Sequence, residues 1–298
     1  MPHRRRSLGG IGVLTLVATS AMAQPPATPL TQEEMFRRNV GTREEQVTPF
    51  PPHAIVGNLY YVGSYSLSAF LVATPEGHIL INTNWERAVD GLKTSVEALG
   101  FAFDDIEVIL GSHAHGDHME ADGLVKELTS AEVMVMRQDV ERLSKMRPGD
   151  KEHPIDRILD DGDEVTLGGT TLVAHRTAGH TQGCTSWGLE VEENGQTYLA
   201  LIVCSFGVNP GYVLVDNPDY PEIADDYRAT FAKARALPVD VFLGAHGYWY
   251  DVERKLEQAM SRAEGDPNPF IDREGYLAHI DMQEQRFQEM LREQEAAR

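Results

Sequence analysis

The chain has 298 residues, 42% of them hydrophobic, which is enough for one large domain or two small ones. Its formal net charge is −20, so it lacks the basic face that phosphate binding needs, which argues against a nucleic-acid partner. The same charge suits a well-solvated soluble protein.

Arg4, Arg5 and Arg6 precede an apolar run over 8–22, and Ala21-Met22-Ala23 offers a small-x-small cleavage pattern. These features predict a signal peptide over 1–23, with Gln24 first in a periplasmic or secreted mature protein. The run also loosely fits a twin-arginine signal, which leaves two export routes. No later stretch is long and apolar enough to span a bilayer, so no stable membrane association is expected after cleavage. Residues 24–50 form a polar arm without periodicity, expected to drape over a single domain covering 24–298.

Residues 54–64 and 67–74 are predicted as paired strands and 78–82 as a third. Helical spacing follows over 86–100, ending on Gly100. A buried strand over 106–111 leads to the stretch SHAHGDH, then to a helix over 121–130, a strand over 132–136 and a loop over 144–157. Short strands fill 157–204. A helix over 220–237, a strand over 239–244, a helix over 252–264 and a long helix over 274–297 close the chain. VILGSH (108–113) and VFLGAH (241–246) share one pattern, an apolar strand ending in a histidine. Two such strands could deliver His113 and His246 to one edge of a β-structure.

His113, His115, Asp117 and His118 fall within six residues. Zinc takes imidazole nitrogen or carboxylate oxygen at about 2.0–2.2 Å, and four such groups cannot reach one ion from a regular helix or strand. From a loop they can serve two ions roughly 3.5–4 Å apart. His180 and His246, each at the end of a predicted strand, supply a third ligand to each. Three protein ligands per ion leave a position for water, which marks a catalytic site rather than a structural one. A solvated histidine-rich loop is the alternative, and the two further histidines decide against it. His3, His53, His78, His153, His175 and His279 lack such context and are assigned no ligand role. Cys184 and Cys204 flank a hairpin turning at Asn194-Gly195, which brings them opposite or nearly so. A cross-strand disulfide would have to meet narrow geometric limits, and two buried free thiols are the preferred reading.

HAHGDH at 113–118, followed by His180 and His246, resembles the metallo-β-lactamase superfamily. The resemblance implies an α/β fold, an αββα sandwich of two facing mixed sheets with helices on both outer faces. Many dinuclear members carry a bridging aspartate on the strand after the second-half histidine. Residues 199–212 contain no carboxylate, and Ser205 stands at that place. Subclasses B1 and B2 use a cysteine ligand there, which brings Cys204 into question, but they lack a histidine at the place of His118. Subclass B3 has that histidine and a serine on the strand. GHTQGCTSW, the run 205–228, FLGAH and NPFIDREGY are also similar to B3 enzymes.

That resemblance assigns His113, His115 and His180 to one zinc ion and Asp117, His118 and His246 to a second. Asp117 also takes a catalytic role, and Ser205 contacts the substrate carboxylate. Strand alternation turns Cys204 away from the metals. The implied activity is opening of the β-lactam amide of penicillins, cephalosporins and carbapenems by hydroxide formed at two zinc ions, conferring resistance. Its partner is the small-molecule substrate, with no obligate protein partner. A periplasmic lactonase or other ester hydrolase of the same fold is the alternative, and a non-catalytic zinc module a more distant one. Asn82 departs from the aspartate usual in the superfamily. Tyr65, Phe206 and Tyr248 are guesses for the pocket wall, with ordinary packing an equal reading.

Overall fold

The computed structural model describes residues 31–298, so the predicted leader and the first part of the arm lie outside the described residues. The rest of the arm is irregular only over 41–50; before that it forms helix α1 (Gln32–Val40), opened by a capping box in which Thr31 and Glu34 satisfy each other's backbone N–H groups.

The first sheet has seven strands in sequential order: β1 (His53–Val56), β2 (Leu59–Tyr61), β3 (Phe70–Thr74), β4 (Gly77–Ile81), β5 (Ile106–Leu110), β6 (Glu132–Met136) and β7 (Arg157–Leu159). β1 to β4 pair antiparallel through short turns, and β4 to β7 pair parallel. Parallel neighbours need a crossover. α2 (Val89–Ala98) supplies it between β4 and β5. α3 (Gly116–Met119) and α4 (Asp122–Thr129) supply it between β5 and β6, and α5 (Val140–Leu143) lies on the way to β7.

The second sheet comprises β8 (Glu164–Leu167), β9 (Thr170–Arg176), β10 (Thr185–Glu193), β11 (Gln196–Val203) and β12 (Val241–Gly244), ordered β12-β11-β10-β9-β8. Asn194 and Gly195, at φ 54° and 76°, close the β10–β11 hairpin with the left-handed pair that a two-residue turn requires. β11 and β12 are parallel, joined across α6 (Ile223–Ala236). α7 (Val252–Ser261) and α8 (Arg273–Ala296) complete the described chain.

Successive strand residues point to opposite faces, and here both faces are buried. Phe70, Val72, Ile79 and Ile81 share one core with Leu172, Ala174, Trp187 and Leu189 of the facing sheet. That core continues to Tyr227, Phe231 and Phe287 on α6 and α8. Leu71, Leu80 and Ile109 point the other way, onto Val89, Leu92 and Val96 of α2 and Val125 of α4. The result is the helix, sheet, sheet, helix layering expected from the resemblance.

Cys184 and Cys204 form a disulfide with Cα atoms 5.8 Å apart, which corrects the expectation of two free thiols. The β10–β11 register explains it. Thr185 falls opposite Cys204, so the cysteines sit one step off opposite positions, just where the ladder ends and the backbone is free to bring them together.

Both sheets end at one edge and are stitched there. Trp187 Nε1 donates to Gly111 O at 3.1 Å, Thr185 N to Ser112 O at 2.8 Å, and Ser68 N to Ala245 O at 3.0 Å. Both matching strand ends therefore deliver their histidines to this edge.

Candidate metal centre

After β5 the chain turns twice before α3. His115 N donates to His113 O at 2.7 Å, and His118 N donates to His115 O at 3.1 Å. These turns throw neighbouring side chains in different directions. The His118 carbonyl accepts the N–H groups of Thr83 and Asn84 at 3.0 and 3.1 Å, which ties α3 to the end of β4. His180 stands in the loop between β9 and β10, and His246 directly follows β12.

The structure brings all six predicted ligands together in two triads. Ligand atoms of His113, His115 and His180 lie within 4.8 Å of one another, as do those of Asp117, His118 and His246. The triads adjoin, with the His113 and His118 rings 4.4 Å apart. Asp117 Oδ2 lies 3.5 Å from His118 Nε2 and 3.8 Å from His246 Nε2.

Two observations show that this donor set suits a metal. His118 is fully buried, yet neither of its ring nitrogens makes a hydrogen bond among the described residues. Such orphaned polar atoms cost about 1–3 kcal/mol unless something unseen satisfies them. Second, His180 Nδ1 lies 3.0 Å from Gly207 O, so it carries the proton and Nε2 keeps a free lone pair. Tyr227 Oη donates to the same carbonyl, and Tyr212 Oη donates to His180 O at 2.9 Å.

Burial lowers the basicity of the whole cluster. His113 and His115 fall well below the ordinary histidine value, first through burial and then through the neighbouring rings. His118 drops to about 3 and His180 to about 4, again chiefly through burial. Neutral imidazole is the form that binds a cation. Burial pushes the Asp117 carboxyl up, but His118, His246, His115 and His180 together outweigh it and leave it below the ordinary range.

His113, His115, His180, Asp117 and His246 line a cavity of about 320 Å³ together with Ser205, Trp85, Trp249 and Phe36, while His118 lies buried behind it. Clefts of about 580 and 500 Å³ lie elsewhere and contain neither triad, so size does not locate the chemistry. Ser205 Oγ accepts the Gly207 N–H at 3.3 Å. Cys204, one residue earlier, faces the back of His113, with Sγ 3.3 Å from Nδ1, and is bound in the disulfide.

The three aromatic guesses for the pocket wall do not hold. Phe206 is wholly buried against Phe231 and His279, while Tyr65 and Tyr248 line a separate cleft beside Arg38. The real wall includes Phe36, Asn39 and Val40 of α1, which the sequence reading missed although Thr31-x-x-Glu34 signalled the helix. Among the described residues the Asn82 side chain makes no hydrogen bond to a predicted ligand side chain. Its Oδ1 accepts Ser112 N at 2.9 Å and its Nδ2 donates to Ser68 O at 3.3 Å. An amide, with one acceptor and one donor, fits this place.

A family model for the metallo-beta-lactamase superfamily matches residues 63–246, and the chain belongs to that superfamily. Among solved structures it is similar to the native FEZ-1 metallo-beta-lactamase from Legionella gormanii. The two are 41% identical over 83% of this chain and 98% of that one, with a TM-score of 0.79. It is also similar to BJP-1, a subclass B3 metallo-beta-lactamase of Bradyrhizobium japonicum. That pair is 36% identical over 85% and 98% of the respective chains, with a TM-score of 0.77. A probable metallo-hydrolase of Burkholderia pseudomallei matches at 32% identity over 108 residues, and the chain spans about a third of that curated relative's length.

Proposed function

We propose that this chain is a zinc-dependent β-lactamase of the B3 type, opening the lactam amide of penicillins, cephalosporins and carbapenems in the periplasm or outside the cell. The observation that carries this reading is the pair of adjoining triads, five of whose six side chains line one cavity, with Ser205 on the same cavity where a bridging carboxylate would stand. His113, His115 and His180 would hold one zinc ion, and Asp117, His118 and His246 the other. Zinc supplies Lewis acidity and lowers the pKa of a water ligand toward about 7, which makes a nucleophile available at neutral pH.

The chain's own groups do the rest. Asp117 stays ionised among the histidines; its carboxylate orients the attacking water, accepts the proton that water loses as its oxygen bonds to the lactam carbon, and passes that proton to the ring nitrogen as the amide C–N bond breaks. Ser205 Oγ donates to the substrate carboxylate. It is no nucleophile, because among the described residues no histidine or carboxylate hydrogen-bonds it. Trp85, Trp249 and Phe36 form apolar wall that excludes bulk water from the reacting amide. We assign 1–23 to a cleaved leader and 24–298 to one enzyme domain that needs no protein partner.

The test is hydrolysis of a penicillin, a cephalosporin and a carbapenem by purified residues 24–298, with metal content measured on the same sample. Chelator-sensitive turnover with about two zinc ions per chain is expected. Two zinc ions without β-lactam turnover would sink the proposal and favour a lactone or other ester substrate.

A further inference from the structure

Between the two loops that carry the first triad lies a carboxylate that is no ligand. Asp139 follows β6 at the start of α5, and it is only 3% exposed. Its Oδ2 accepts the Ala114 N–H at 2.8 Å and the Thr181 hydroxyl at 2.9 Å, and its Oδ1 accepts the Gly183 N–H at 2.8 Å. Ala114 separates His113 from His115, and Thr181 follows His180. One buried side chain therefore bonds to both ligand loops. Arg142, on α5, completes the grip by donating Nε to the Ala114 carbonyl at 3.1 Å. Both backbone polar groups of the residue between two ligating histidines are thus held from one short segment.

The approach is close enough to dictate a residue type. A Cβ at Gly183 would lie 2.6 Å from Asp139 Cγ and 2.7 Å from Asp139 N, so only glycine fits. Among the described residues three donors and no acceptor converge on the Asp139 carboxylate, which is a geometry for the ionised group. The second triad has separate supports, the Thr83 and Asn84 N–H groups on the His118 carbonyl.

We propose that Asp139 is a positioning residue that sets the distance between the His113–His115 loop and the His180 loop, and so controls metal affinity at the first triad alone. The inference rests on the metal reading above. Asp139→Asn keeps the shape but turns an NH2 group onto one of three donors. Thr181→Val removes one hydrogen bond and leaves the carboxylate. Supports behind metal ligands are worth about 10–100-fold in affinity.

Metal-free wild type, D139N and T181V are titrated with zinc against a chromophoric chelator and with cobalt followed by its visible absorption, and each metal-free protein is melted. Wild type takes up two equivalents. D139N is expected to bind one equivalent about 10–100-fold more weakly, with altered cobalt bands, and the other within about twofold. T181V weakens the same equivalent by a smaller factor. In a His118→Ala background, which disables the second triad, the remaining equivalent is the weakened one. Wild-type affinity at both equivalents in D139N overturns the proposal. So does equal weakening of both with a lower metal-free melting temperature, which marks a general structural role. If D139N does not fold, unchanged affinity in T181V overturns it. Wild type without any metal uptake instead removes the metal reading itself.

Discussion

The Cys184–Cys204 bridge can be tested on the metal-free protein. It closes a loop with a sequence separation of 20. Cross-linking a loop of that length removes about 3 kcal/mol of chain entropy from the unfolded state. Urea unfolding with and without a thiol reductant should therefore differ by about 3 kcal/mol in favour of the oxidised form. At roughly 2–4 °C per kcal/mol for a chain of this size, the melting temperature should fall by roughly 6–12 °C on reduction. Alkylation of the unfolded chain before reduction, read by mass spectrometry, should label no thiol, and after reduction two. Two labelled thiols in unreduced protein would refute the bridge and the argument from strand register, and superimposable unfolding curves would refute the loop-entropy argument.

Asn82→Asp, the residue usual in the superfamily, should destabilise this chain by about 1–3 kcal/mol in urea unfolding, because a second acceptor would face Ser68 O in a fully buried place. Phe36→Ala should raise KM roughly 3- to 10-fold with kcat little changed, since it removes wall rather than machinery. The buried His153 ring lies 3.1 Å from Asp122 and close to the carbonyls of Met119 and Pro154. Burial pushes its pKa down, but Asp122 and the two carbonyls override this and leave it above the ordinary value. The stabilisation is therefore complete below the unfolded value of about 6.5 and is lost as pH rises through the folded value. The stability difference between wild type and His153→Gln should shrink as pH rises above about 6.5, and a difference that grows on that rise would reverse the assignment.

The two triads were legible because four of their six side chains fall within HAHGDH at 113–118, just after β5, and His180 and His246 stand in the loops that follow β9 and β12. Geometry that depends on tertiary placement was not legible. Asp139 stands alone in RQD and gains meaning only when two distant loops converge on it. Phe206 sits one residue after Ser205, past the end of β11, and packs into the core while Ser205 faces the cavity. The helix in the arm was signalled by its capping box but hidden by its polar composition. The disulfide turned on a one-residue offset that hairpin length alone does not specify.

The ligands span positions 113 to 246, and the last arrives only when β12 has docked beside β11. A ribosome must therefore finish most of the chain before the second triad exists at all. Any ion that binds only the completed arrangement stabilises it by mass action, by about 4 kcal/mol at a thousandfold excess over its dissociation constant. Fragments ending before His246 lack one member of that triad, so a metal ion there would not stabilise them in this way.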